Sequence, residues 1–281
     1  MPSVPIELGP VQETLLIPLL GRAVETGKTN GLLKDPRAVE ILEQLDYDFE
    51  KWRGIQSLVG ASLRTRLFDE EVEAFLAVHP EGTVVEIGAG LNTRYERLDN
   101  GRAHWLELDL PDSMALRRQF FADTERRRMV AASALDTDWL DEVAALPGPT
   151  CFVSEAVLIY LEGTEVEAVV RGLAGRFPGS WFLTDTSSTA MVDGQASHDA
   201  MRHLSPASWF RWKCDDPRSI QPWGLRLDRS RTFLDAPDAL RRRLPLPFRL
   251  VARWAPFLIR RKLEGYRINR YTLVQQDVGP S

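Results

Sequence analysis

The chain has 281 residues, of which 44% are apolar and 27% charged, with a formal net charge of −5. Such a composition excludes a disordered chain, a coiled coil and a fibrous repeat. Its acidity removes the uniformly basic footprint of a dedicated nucleic-acid binder. Two cysteines, Cys151 and Cys214, are too few for a disulfide framework, and no cluster has metal-ligand spacing.

The opening MPSVPIELGP has neither a basic n-region nor an apolar h-region, so no signal peptide is expected. No run approaches the ~20 apolar residues that span a bilayer; Pro18, Arg22, Arg253 and Pro256 break the longest ones. A cytoplasmic protein is the expectation, with no membrane partner, and the oligomeric state is not readable. Without repeats or low-complexity linkers, one continuous domain is expected. Its parts are a helical segment over 1–80, a core over 81–187, a cap over 188–225, and closing strands and helices over 226–281.

Helical spacing of Leu15, Leu16, Leu19, Leu20 and Ala23 predicts a first helix that Pro18 bends or restarts. DPRAVEILEQL places an Asp cap before a proline at the first helical position. FDEEVEAFLAVHP predicts a third helix ending before Pro80. The period then changes. β-Branched runs stand at 82–90, 103–111, 128–136, 151–161 and 180–187, with helical stretches between them, the first being SMALRRQFFADTERRR. LRLDRSRTF (225–233) and RINRYTLVQQ (267–276) supply two more strands. Strands alternating with helices predict an α/β fold, a mostly parallel sheet covered on both faces. The segment rich in Trp, Ser, Asp and Pro after residue 187 interrupts this rhythm and is expected to cap the active-site edge. LPLPFRLVARWAPFLIRRKLEGYRINRY is basic and amphipathic, and a core-packing helix there is favoured over a membrane-surface one.

The most informative stretch runs from Val84 to Arg94, where a buried strand enters a turn carrying Gly88 and Gly90. Glycine lets the backbone approach a ligand that a Cβ would push away, and in a doubly wound sheet this turn lies where ligands bind. Asp109, nineteen residues beyond Gly90, ends the next strand, where a carboxylate can accept hydrogen bonds from a ribose diol. Two nucleoside ligands suit that geometry. A dinucleotide site needs a third glycine, and Thr93 stands there instead. Glu86 would repel a pyrophosphate and suits a sulfonium donor, S-adenosylmethionine, better. A plain turn with no ligand is the third possibility.

These residues, together with LRTRLFD (63–69), EIGAGLNTR (86–94), WLELDLP (105–111), LRRQFF (116–121) and SEAVLIYL (154–161), resemble the leucine carboxyl methyltransferase superfamily. The likeness is closest to its bacterial, tetracenomycin-type branch of polyketide O-methyltransferases, which TLLIPLLGRA (14–23) and DPRAVEIL (35–42) also fit. It covers about residues 12–180. The resemblance implies a class I S-adenosylmethionine-dependent methyltransferase fold with added N-terminal helices. It implies that Arg64 contacts the donor's carboxylate, Gly88 and Gly90 back its methionine part, Asp109 binds the ribose, and Glu155 lies near the ammonium group. Ser133 and Ala134 stand where the Asp-Leu pair flanks the adenine in eukaryotic members, a departure from the family pattern, and the resemblance implies that they border the adenine.

Methyl transfer to a carboxylate needs orientation but no base, since the acid is ionised at neutral pH; a phenol needs a base, most often His. His79 and His104 precede the first two strands, at the wrong end of the sheet. His198 and His203, in the cap, are the catalytic candidates if the acceptor is a hydroxyl. Arg202 or Arg211 could pair with an acceptor carboxylate. Trp209, Trp212 and Trp223 could form a flat apolar wall for an aromatic acceptor, with Tyr160 beside them. The alternative for each is ordinary packing. The expected activity is O-methylation of a small molecule, first the carboxylate of a polyketide-type product and second a phenolic or enolic hydroxyl. A non-catalytic donor-binding protein and an NAD(P)-dependent oxidoreductase are weaker alternatives.

Overall fold

The computed structural model describes residues 4–246, 248–249 and 264–275. Seven strands form one sheet: β1 (Thr83–Ile87), β2 (His104–Asp109), β3 (Arg127–Ala131), β4 (Thr150–Ser154), β5 (Trp181–Ser187), β6 (Leu225–Arg231) and β7 (Tyr266–Leu273). Their spatial order is β3-β2-β1-β4-β5-β7-β6. The first five run parallel, and β7 lies antiparallel between β5 and β6. Every residue of β1 and β4 is buried, as a strand covered on both faces requires. Chain order reverses between β1 and β4, so the loop after β1 opens into the crevice at the carboxyl edge.

The predicted strands all form, several with shorter bounds. The apolar run 151–161 is a strand only to Ser154, because the chain then turns at Ala156, whose φ is +54°. The run 128–136 leaves the sheet after Ala131. The helix expected through SMALRRQFFADTERRR, α5 (Pro111–Arg117), stops early. Beyond it, three-residue hydrogen-bond spacings tighten the chain, and Asp123 receives the N–H of Met129 at 2.8 Å, tying the turn to β3.

Helices α1 (Leu16–Gly27), α2 (Pro36–Gln44) and α3 (Ser57–Val78) form the N-terminal layer. Pro18 falls in the first turn of α1, where a missing N–H is tolerated. Asp35 caps α2, accepting from Ala38 N at 3.0 Å. α3 begins well before the predicted FDEEVEAFLAVHP segment and carries LRTRLFD on the same helix. A short helix, α4 (Arg94–Leu98), follows the glycine turn; α6 (Trp139–Ala144) and α7 (Gly163–Arg176) cover the sheet face around Phe152.

The segment after β5 divides. Met191, His198, Ala200, Met201 and Phe210 face the crevice at the sheet edge. From Arg211 onward the chain returns to the core. Trp212 N donates to Ile159 O at 3.2 Å and Cys214 N to Ser187 O at 2.8 Å, and Trp212 is 4% exposed. The basic amphipathic segment around 250–263 lies outside the described residues. Among the described residues no helix is long and apolar enough to cross a membrane.

Candidate active site

A cavity of about 310 Å³ lies over the carboxyl ends of β1, β2 and β4. Its floor is the glycine turn. Gly88 has φ +72° and Gly90 φ +48°. A Cβ on Gly88 would stand 2.2 Å from a Val157 methyl, so backbone and Val157 share a space that no side chain could enter. Asp109 holds this turn in place: Oδ2 accepts from Gly90 N at 2.6 Å and Oδ1 from Leu110 N at 2.7 Å. Each carboxylate oxygen keeps a second lone pair for a ligand. Burial pushes the Asp109 carboxyl up, and the two N–H donors oppose that.

Beneath the floor runs a buried chain of charges. Arg22 binds Asp35 at 2.8 Å, Asp35 meets Arg97 at 3.2 Å, and Arg97 meets Asp69 at 2.9 Å. Asp69 binds Arg94 at 2.8 Å, and Arg94 in turn binds Glu86 at 2.6 Å and also Glu155. Glu155 ends the chain on Arg64 Nε at 2.9 Å and on the Thr65 hydroxyl at 2.8 Å. The four cations and four anions link α1, α2, α3 and α4 to β1 and to the end of β4. Arg94 is fully buried, and three separate carboxylates converge on it.

This network sets a pH limit. Burial pushes Asp35, Asp69 and Glu155 up, but the facing guanidiniums outweigh it and hold all three below their ordinary values of 3.8 and 4.5. A carboxyl depressed in the fold stabilises it above the unfolded value and loses that stabilisation as pH falls through the folded one. Asp185, pushed up to about 6 by burial, and Glu86 and Asp109, which burial also raises, act with the opposite sign, taking up their protons in the fold first. Acid unfolding followed by tryptophan fluorescence should therefore have its midpoint below about pH 4. A midpoint above about pH 5 would mean the carboxylates are not ion-paired in the folded chain.

Of the residues nominated from sequence, Arg64, Glu86, Gly88, Gly90, Asp109, Ala134, Glu155, Tyr160 and His198 line the cavity. Glu86 was expected to meet a cationic ligand; both its oxygens are held by Arg94 Nη1, so the matching cation is in the chain itself. Glu155 has the cationic partners its burial requires, Arg64 and Arg94.

The remaining nominations do not reach the cavity. Ser133 turns into its own loop, its N–H donating to Asp136 at 2.8 Å. Arg202 donates to the exposed His203 at 3.1 Å, and Arg211 lies outside near Glu162 at 3.6 Å. Trp212 and Trp223 pack on each other, centroids 6.4 Å apart, in the core beside α7. Trp209 packs with the N-terminal helices. The apolar side chains that do line the cavity include Phe210, Phe233, Met191 and Met201, with Phe210 edge-on to Tyr160 at 5.3 Å.

Sequence reasoning missed Gln12, Thr14 and Leu15, which line the cavity from the N-terminal side, and Tyr266 at the start of β7. It also missed Ser57, although Ser57, Gly60, Ala61 and Arg64 follow helical spacing on one face of α3, a pattern that could have found it. Nothing in the sequence placed Tyr266 there, since β7 reaches the site only by pairing with β5.

A family model described as "Leucine carboxyl methyltransferase" matches residues 16–174. The tetracenomycin polyketide synthesis O-methyltransferase TcmP of Streptomyces glaucescens is 30% identical over 83% of this chain and 86% of its own length. An S-adenosyl-L-methionine-dependent methyltransferase of Gibberella zeae is 26% identical over 77% of this chain and 79% of its own. Among solved structures, a duf574 family protein from Streptomyces avermitilis superimposes with a TM-score of 0.56 at 14% identity, covering 90% of this chain and 97% of that one.

Proposed function

Since the chain belongs to the leucine carboxyl methyltransferase family and is an S-adenosyl-L-methionine-dependent O-methyltransferase, we propose that it methylates a carboxylate on a small aromatic product of polyketide type. The observation that carries this reading is the mixed lining of the cavity. The glycine turn, Asp109, Glu155 and Arg64 offer backbone and charge, and Tyr160, Leu161, Met191, Met201, Phe210 and Phe233 offer apolar surface. A charged nucleoside suits the first set and a flat apolar ring the second. TcmP, whose name places it in polyketide synthesis, supports the acceptor class.

The first set fits the cofactor. The positive φ values at Gly88 and Gly90 leave backbone, not side chain, facing the ligand. Asp109 would hold the ribose hydroxyls, Arg64 the donor's carboxylate, and Glu155, already bonded to Arg64 and Arg94, its ammonium group. Bound S-adenosylmethionine supplies an activated methyl on sulfur, so no acid is needed to expel the leaving group. The chain's own contribution is to align the acceptor oxygen with that methyl and to exclude water. Gln12, Thr14 and Leu15 from the N-terminal side and Met201 and Phe210 from the cap line the site. Burial raises the Tyr160 phenol, which therefore stays protonated and can donate to an acceptor carboxylate.

A hydroxyl acceptor is the second reading, favoured by His198. It lines the cavity, with Nε2 3.4 Å from the Ser57 hydroxyl and Nδ1 3.6 Å from Asp199, and an imidazole is the commonest base for such an acceptor. The two readings separate by product chemistry. With an aromatic polyketide acid as acceptor, S-adenosylhomocysteine should be released, and the methylated product should return to the acid in mild alkali. An alkali-stable ether would overturn the carboxylate reading.

A further inference from the structure

We propose that Asp185 and Tyr266 are a positioning pair that aims Arg64 and the Glu155–Ala156 turn at the amino-acid end of the donor. The proposal rests on the reading of Arg64 as the partner of the donor's carboxylate.

Asp185 lies on β5 and is fully buried, and Tyr266 opens β7. The Tyr266 hydroxyl donates to Asp185 Oδ2, and the same oxygen accepts from Ala156 N at 2.8 Å. One buried carboxylate thus holds two parts of the site. The first is the backbone of Ala156, whose φ of +54° is a conformation side chains disfavour, beside Glu155. The second is the phenol. A phenol has one proton to donate; with that proton committed to Asp185, the Tyr266 oxygen presents only lone pairs to Arg64 Nη1, 3.4 Å away. Arg64 is therefore gripped at Nε by Glu155, at 2.9 Å, and at Nη1 by Tyr266. Its remaining nitrogen, Nη2, makes no hydrogen bond among the described residues, and the side chain borders the cavity.

A second observation argues against a purely structural role. Asp185 Oδ1 is buried with no hydrogen-bond partner among the described residues. An unsatisfied buried carboxylate oxygen costs stability. Burial also raises the Asp185 carboxyl to about 6, against the pull of Arg64 and Tyr266. The phenyl ring of Tyr266 stacks on Phe233 with planes 16° apart, so Tyr266→Phe keeps the packing and removes only the hydroxyl.

The test compares two nucleosides by calorimetry: S-adenosylhomocysteine, which carries the amino-acid end, and methylthioadenosine, which lacks it. Tyr266→Phe and Asp185→Asn should each weaken S-adenosylhomocysteine by about tenfold. Both should leave methylthioadenosine unchanged to within about twofold. A structural defect would weaken both ligands together, and that result, or no change in either, overturns the proposal. If Asp185→Asn fails to fold, the ring-preserving Tyr266→Phe decides alone. Failure of the unsubstituted protein to bind S-adenosylhomocysteine more tightly than methylthioadenosine would instead remove the role given to Arg64.

Discussion

Replacing Arg94 by leucine is expected to unfold the chain or to lower its Tm by roughly 10 °C or more. Asp69, Glu86 and Glu155 all bind this fully buried guanidinium. Removing one partner of a buried ion pair costs about 3–5 kcal/mol, because a charge stays behind without compensation. Here three carboxylates lose a partner in one step. Glu86 is the most exposed to that loss: burial already pushes its carboxyl up, and Arg94 is the main opposing influence. Asp69 and Glu155 keep Arg97 and Arg64. A domain's whole stability is about 5–15 kcal/mol, so the substitution removes a large part of it. Arg94→Lys should recover only a fraction, since one ammonium cannot reproduce the planar fork that reaches three carboxylates. Thermal unfolding of the two variants beside the unsubstituted chain checks this. A Tm for Arg94→Leu within about 2 °C of the unsubstituted chain would show that the network is not a structural anchor.

Asp109→Ala is expected to weaken S-adenosylhomocysteine by roughly a hundredfold or more while leaving the fold intact. Two effects add. On the proposed placement the carboxylate would no longer accept from the ribose hydroxyls, each such charge-assisted bond being worth about 1.5–3 kcal/mol. Gly90 N and Leu110 N also lose their acceptor, so the glycine turn loosens where the ligand lies. Asp109→Asn should do little better, because its amide would set an N–H against one of those two backbone donors. Calorimetry with S-adenosylhomocysteine measures the loss. An affinity within about twofold of the unsubstituted chain would remove Asp109 from the donor site.

Much of the frame was legible in residue order. The change from helical to strand period near residue 82, the Asp35 cap, the paired glycines and Asp109 are local signals, and each lies where its local physics placed it. Helical bounds were less legible. Leu116-Arg117-Arg118-Gln119-Phe120-Phe121 has good helical propensity, yet the helix ends at Arg117. Arg117 is drawn to Glu107 at 2.6 Å, and Phe121 packs under three guanidiniums, contacts that residue order does not reveal.

The sequence by itself determined the doubly wound sheet, the N-terminal helices and the glycine floor with its acidic neighbour, because periodicity and turn chemistry act over a few residues. Only the tertiary structure decided which aromatic rings face the cavity and which arginines are spent on internal carboxylates. Tryptophans in an irregular segment have no period to assign them a side. Trp212 is drawn inward by backbone bonds to Ile159, and Phe210, two residues earlier, is left on the cavity. Asp185 and Tyr266 stand eighty-one residues apart and meet only because β7 runs back along β5.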